Sequence, residues 1–229
     1  MKRILDIISD IPLFRGLPDT QMQEIEGIAV GRHFNKGEAI FSEGDEGKGF
    51  YVVADGKVKI FKVSMEGKEQ ILHIYGPGNP FGEVPVFSGQ KFPANAQAIL
   101  KSYLLFFPRN AFVDLISKNP SLSLNMLAVL SMRLREFTIQ IENLSLKEVS
   151  GRLAAYLLYL ADEQGKEDSA ALNISKRQLA SLLGTIPETL SRILAKMSSQ
   201  NLVEVDGRNI RLLNRSRLED LAEYRRNTE

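Results

Sequence analysis

Glu188, Ser191 and Arg192 lie three and four residues apart, a spacing that puts all three on one face of a helix. Arg192 can donate two hydrogen bonds to guanine O6 and N7, and Glu188 can accept one from cytosine N4. Ser191 is small enough to approach a base edge or a thymine methyl. Leu190, Ile193, Leu194 and Met197 occupy the opposite face, so the polar set has an apolar backing. Pro187 stands at the start of this stretch, the one helical position where proline costs little.

A preceding helix has to hold this one in place. Ser175 and Gln178 have the spacing of a capping box, and Leu179, Leu182 and Leu183 form an inner face. Gly184 ends that helix, and Thr185-Ile186 completes a tight turn. Two short helices joined in this way predict a helix-turn-helix whose second helix reads the major groove. Phosphate contacts are expected from Ser175, Lys176, Arg177, Thr185, Thr189, Lys196 and Arg208, together with free N–H groups at the helix starts. Residues 202–212 place two β-favouring runs around Asp206-Gly207, a hairpin suited to be a wing. Residues 175–217 carry eight basic side chains against three acidic ones, whereas the whole chain has a net charge of only +1. The excess is therefore local, as a phosphate-binding surface requires.

Upstream, Leu127, Leu130, Leu134, Phe137, Ile141 and Leu144 follow intervals of 3, 4, 3, 4 and 3. This is an a/d seam, and with polar residues between its members it predicts pairing with a second copy of the chain. Residues 32–108 differ in character: short apolar runs are broken by glycine turns, as in a barrel or jelly roll. Within them, Phe50 to Phe61 around Asp55-Gly56 reads as a hairpin. Residues 1–30 read as helical, with Met22, Ile25 and Ile28 at helical spacing after Pro18-Asp19. The domains are thus set at 1–120 for the β-domain, 121–145 for the long helix and hinge, and 146–229 for the DNA-binding domain.

Several function classes drop out. There is no cysteine, hence no disulfide, thiolate metal site or cysteine nucleophile. Two separated histidines, His33 and His73, do not make a metalloenzyme cluster. No phosphate-cradling glycine loop followed by lysine and no nucleophile elbow occurs, so no catalytic residues are assigned and an enzyme is not expected. No run is long and apolar enough to span a membrane, and residues 1–10 make a poor signal peptide. A cytoplasmic protein is the default expectation, with no membrane partner.

In order along the chain, the sequence resembles the Crp–Fnr superfamily of bacterial regulators. The resemblance rests on Ile11-Pro12-Leu13-Phe14-Arg15-Gly16-Leu17, on Gly37-Glu38 through Gly44-Asp45, and on Val53-Ala54-Asp55-Gly56-Lys57-Val58. It continues through Gly76-Pro77-Gly78, Phe81-Gly82-Glu83, Gly151-Arg152-Leu153-Ala154 and Ser175 to Leu202. It implies an α+β fold: an N-terminal cyclic-nucleotide-binding-like β-roll (a double-stranded jelly roll), a long dimerisation helix and a C-terminal winged helix-turn-helix. It also implies a hinge near Asn143–Ser145, a palindromic double-stranded operator, a homodimer, RNA polymerase as a further partner, and a small effector in the roll.

The sequence also departs from the family. Cyclic-AMP receptors hold the cyclic phosphate with an Arg-Ser pair after Phe-Gly-Glu; here the arginine position falls at Phe92 or, at best, Lys91, and the serine position at Pro93, which argues against cyclic AMP. The cysteine ligands of the oxygen-sensing Fnr branch are missing. Pro187 to Arg192, however, keeps that branch's Glu-x-x-Ser-Arg pattern, which implies a TTGA…TCAA palindrome. Phe92-Pro93-Ala94 with this reader resembles the Dnr and HcpR branches, which answer nitrosative stress. Two effector readings follow. One is nitric oxide through haem, with His73 as the candidate axial ligand ahead of His33. The other is a small organic effector in a pocket lined by Phe81, Glu83, Phe92, Met132 and Arg135.

Overall fold

The structure is a computed structural model and describes residues 4–223. The first three positions of the helical reading over 1–30 and the last six of the 146–229 domain lie outside the described residues. The chain forms two compact units, one ending at Leu134 and the other beginning at Arg135, so the division falls inside the long helix.

The first unit opens with α1 (Ile4–Ser9), a 3-10 turn at Pro12–Phe14 and α2 (Asp19–Ile28). Eight strands follow: β1 (Val30–Phe34), β2 (Ala39–Phe41), β3 (Gly49–Asp55), β4 (Val58–Val63), β5 (Glu69–Tyr75), β6 (Pro80–Phe81), β7 (Asn95–Ala98) and β8 (Ser102–Pro108). They make two four-stranded antiparallel sheets, ordered β1-β8-β3-β6 and β2-β7-β4-β5. A short helix, α3 (Val84–Ser88), interrupts them; α4 (Arg109–Lys118) and α5 (Pro120–Leu146) follow.

The run Phe50-Tyr51-Val52-Val53 is buried throughout because both faces of β3 are covered. Alternate side chains point to opposite faces. Phe50 and Val52 join Leu105, Phe107 and Phe112 in a core beneath the helices, while Tyr51 and Val53 join Leu104, Phe106 and Phe81 in a second core inside the roll.

Asp55-Gly56 does form the turn, with Gly56 at φ 90°, but β3 and β4 do not pair as a hairpin. β3 pairs with β6 and β8, and β4 with β5 and β7, so the chain crosses from one sheet to the other at Gly56. The crossing is pinned from outside the turn: the Lys57 amide donates to Ser102 Oγ at 3.2 Å. Asp206-Gly207, by contrast, closes a true hairpin, in which Asp206 faces Asn209.

The second unit contains α6 (Val149–Glu163), β9 (Ser169–Ala171), α7 (Lys176–Leu182), α8 (Pro187–Ser199), β10 (Val203–Asp206), β11 (Asn209–Leu212) and α9 (Arg215–Ala222). β9 adds to the wing hairpin as a third strand, in the order β10-β11-β9, a pairing absent from the sequence reading. The hinge expected near Asn143–Ser145 is also displaced. Those residues are helical, and the break falls at Lys147–Glu148. There the Arg152 guanidinium donates to the carbonyls of Leu144 and Lys147 at 3.2 and 2.7 Å, satisfying acceptors that a helix end leaves open.

Candidate functional site

The helix-turn-helix is built as its sequence requires. Ser175 Oγ accepts from the Gln178 amide at 3.2 Å, and the Ser175 amide donates to Gln178 Oε1 at 2.9 Å, closing a complete capping box at the start of α7. Gly184 turns the chain at φ 68°, and Pro187 opens α8. Leu190, Leu194 and Met197 are buried beneath α8, while Glu188, Ser191, Arg192 and Lys196 are exposed on it. Ser175, Lys176, Arg177 and Arg208 are exposed as well; Thr185 and Thr189 are half-buried.

Not every cation counted in the sequence is available to phosphate. Arg211 pairs with Glu204 at 2.8 Å, and Arg215 bridges Asp162 at 2.7 Å and Glu219 at 3.1 Å. Arg215 is therefore a tie between α9 and α6. Sequence reading missed a concave surface beside α8, about 1070 Å³ in volume, where Arg192 and Lys196 meet Ser150, Arg152 and Arg217. Ser150 and Arg152 lie outside the helix-turn-helix pattern, and only the folded unit brings them to the reader.

In the first unit, Phe81, Glu83 and Phe92 converge. Phe92 stacks on Phe41 with ring centroids 3.7 Å apart, and Phe41 lies 6.1 Å from Phe81. Met132 and Arg135, assigned to the same pocket, are exposed side chains on α5. The long-helix residue that does enter is Arg133, which is 9% exposed and paired with Glu83 and the Pro80 carbonyl. Its guanidinium also lies 4.8 Å from the Tyr75 ring centroid. The signal for it was a second periodic face: Leu122, Met126 and Arg133 are the buried residues of α5. The seam residues face elsewhere, with Leu127, Leu134, Phe137, Ile141 and Leu144 exposed and Leu130 half-buried.

His73 is half-buried, with its ring 4.2 Å from that of Tyr75. Burial, and then the Arg133 charge, push its pKa down to about 4, so it is neutral. A neutral imidazole suits a metal. A haem, however, needs a slot of macrocycle size beside it, and the neighbouring interior is packed with Tyr51, Tyr75 and Phe81 rings. The residues present do not fit a haem there. His33 is exposed, with its ring tilted against that of Tyr103 at 4.7 Å between centroids. Among the described residues, no group of three or more His, Cys, Asp or Glu side chains gathers to hold a metal ion, and no helix is long and apolar enough to cross a membrane.

A winged helix-turn-helix carried on one chain with a cyclic-nucleotide-binding-type β-roll defines a class of DNA-binding transcription regulators. The family model described as "Cyclic nucleotide-binding domain" matches residues 31–119, and that described as "Crp-like helix-turn-helix domain" matches residues 151–221. The cyclic AMP receptor protein of Thermus thermophilus is 33% identical over 211 residues, covering 92% of this chain and 96% of that protein. The fumarate and nitrate reduction regulatory protein of Escherichia coli is 29% identical, covering 92% of this chain and 86% of its own length. The solved structure of FixK2 from Bradyrhizobium japonicum superposes with a TM-score of 0.75 at 27% identity, covering 86% of this chain and 98% of that one. The chain belongs to the Crp/Fnr family of transcription regulators.

Proposed function

We propose that the protein acts as a homodimer that binds a TTGA…TCAA palindrome and is controlled through its β-roll. The observation that carries this reading is the exposed Glu188-Ser191-Arg192 face on a helix whose other side buries Leu190, Leu194 and Met197. Two such helices, related by a twofold axis, meet half-sites about one helical turn apart. The exposed seam from Leu127 to Leu144 supplies the twofold contact. Of the two effector readings, the aromatic interior supports a small organic molecule over haem-bound nitric oxide, for lack of a slot beside His73. RNA polymerase remains the further partner that family membership suggests.

Fluorescence anisotropy on a labelled palindrome tests the operator reading. Arg192→Ala is expected to cost about 1–3 kcal/mol on the TTGA site and little on random DNA. A fragment with both G·C pairs changed should bind no better than random sequence. Equal binding to both fragments would refute the side-chain assignment.

A further inference from the structure

Charge is unevenly satisfied in the second unit. Arg211 is met by Glu204, and Arg215 by Asp162 and Glu219. The hollow between α8, α9 and the start of α6 is the opposite case. Arg152, Arg192, Lys196 and Arg217 line it against only two carboxylates, Glu148 and Asp220. Among the described residues none of these four cations forms an ion pair. Hydrogen-bond supply runs the same way. Arg152 directs one terminal nitrogen at the Leu144 and Lys147 carbonyls, and its buried Nε has no acceptor. The hollow is rich in donors and positive charge and short of acceptors, the complement of a phosphate-bearing strand.

Arg217 is the member that no helix-turn-helix pattern places there. It stands on α9, beyond the wing, and its side chain is exposed. The helix beneath it is a firm platform. Leu218 is fully buried, Asn214 Oδ1 caps the helix by accepting from the Arg217 amide at 3.0 Å, and Arg215 ties it to α6. Two arginines on one turn thus serve different ends: Arg215 holds α9 in place, and Arg217 enters the hollow that Arg192 and Lys196 also line. Arg192 belongs both to this hollow and to the exposed face with Glu188 and Ser191, so whatever fills the hollow lies beside whatever α8 reads. A free anion there would compete with a duplex for Arg192; the backbone of the duplex itself would not.

We propose that α9 is part of the DNA-binding surface, with Arg217 donating to a backbone phosphate beside the bases that Arg192 reads; this rests on the DNA-binding reading of α8 but not on the TTGA sequence. The hollow between α8 and α9 seats that stretch of sugar-phosphate backbone. A phosphate contact positions and does not specify, so Arg217 adds affinity on every sequence alike.

Fluorescence anisotropy of the full-length protein with a TTGA…TCAA duplex and with a random duplex, over about 50–300 mM salt, reads the contact as a salt slope. Each phosphate neutralised contributes about 0.9 to the slope of log K against log salt, so Arg217→Ala should flatten it by about two for a dimer on two half-sites. At ~100 mM salt the affinity should fall at least about tenfold on both duplexes, with their ratio held within about a factor of two. Arg217→Lys should keep most of the slope. Arg215→Ala removes the same charge from a residue already paired with Asp162 and Glu219, and should leave the slope unaltered. An unchanged slope in Arg217→Ala would overturn the proposal. So would an equal loss in Arg215→Ala, which would reduce the effect to net charge. Failure of the parent protein to bind either duplex would remove the reading of α8, and the proposal with it.

Discussion

Gly151 in α6 faces the backbone carbonyl of Leu221 in α9 so closely that a Cβ at 151 would lie 2.7 Å from that oxygen. The contact sets the distance between two helices whose buried residues, Leu153, Leu157 and Leu218, share the core of the second unit. Gly151→Ala would gain about 1 kcal/mol in helix propensity. Against this stands a clash with backbone that cannot rotate away, and overpacking of this kind costs about 1–3 kcal/mol. The clash should win. Urea unfolding of Gly151→Ala is expected to show a lower midpoint with an unchanged slope; a raised midpoint would mean that α9 moves aside freely.

The capping box at Ser175 separates stability from recognition. Ser175→Ala removes the acceptor for the Gln178 amide and should cost about 1 kcal/mol of stability. Glu188, Ser191 and Arg192 are untouched by it. The ratio of affinities for the TTGA site and for random DNA should therefore hold within about a factor of two, while absolute affinity falls modestly through one lost phosphate contact. A collapse of the ratio would show that α7 positions the reader more tightly than the capping geometry suggests.

Local chemistry decided what was legible in the sequence. The capping box, Gly184 and Pro187 are short-range devices, and the structure shows them where the residues stand. What went unread depends on long-range pairing. Asp55-Gly56 looks like a hairpin turn because its flanking strands are β-favouring, yet each strand finds a better partner elsewhere, β3 with β8 and β4 with β5. Arg133 reads as a surface cation between seam residues; its spacing from Leu122 and Met126 marks a second face of the helix, but its partner Glu83 lies 50 residues away, beyond any local pattern. The third wing strand, Ser169–Ala171, is three residues of weak propensity and exists only because β11 offers an edge.

The seam yields a sharper test because its members are exposed within one chain. Leu134 is 68% and Ile141 65% exposed, so charging them should not harm the fold of a single chain. Burying a leucine or isoleucine side chain is worth about 1.5–3 kcal/mol, and each substitution acts twice across a twofold interface. Leu134→Glu with Ile141→Glu should therefore raise the dimer dissociation constant by about a hundredfold or more. Analytical ultracentrifugation at micromolar concentration should show the parent as a dimer and the double variant as a monomer. A double variant that stays dimeric would move the interface off this face.

His73 gives the roll a predictable acid response. Its folded pKa of about 4 lies below the ordinary 6.5, because burial first and the Arg133 charge second disfavour the imidazolium. The unfolded chain therefore binds this proton more tightly than the native protein does. The stability associated with neutral His73 is complete above about pH 6.5 and is lost as pH falls through that value toward 4. At pH 5 the loss amounts to about 2 kcal/mol. Carboxylates also titrate in this range, so the informative quantity is a difference. Urea unfolding at pH 7 and pH 5 should show a smaller acid-induced drop in His73→Gln than in the parent protein, by about that amount. Parallel drops in the two proteins would mean that the imidazole takes up its proton in the folded state at little cost, through a local opening of β5 that relieves it of Arg133.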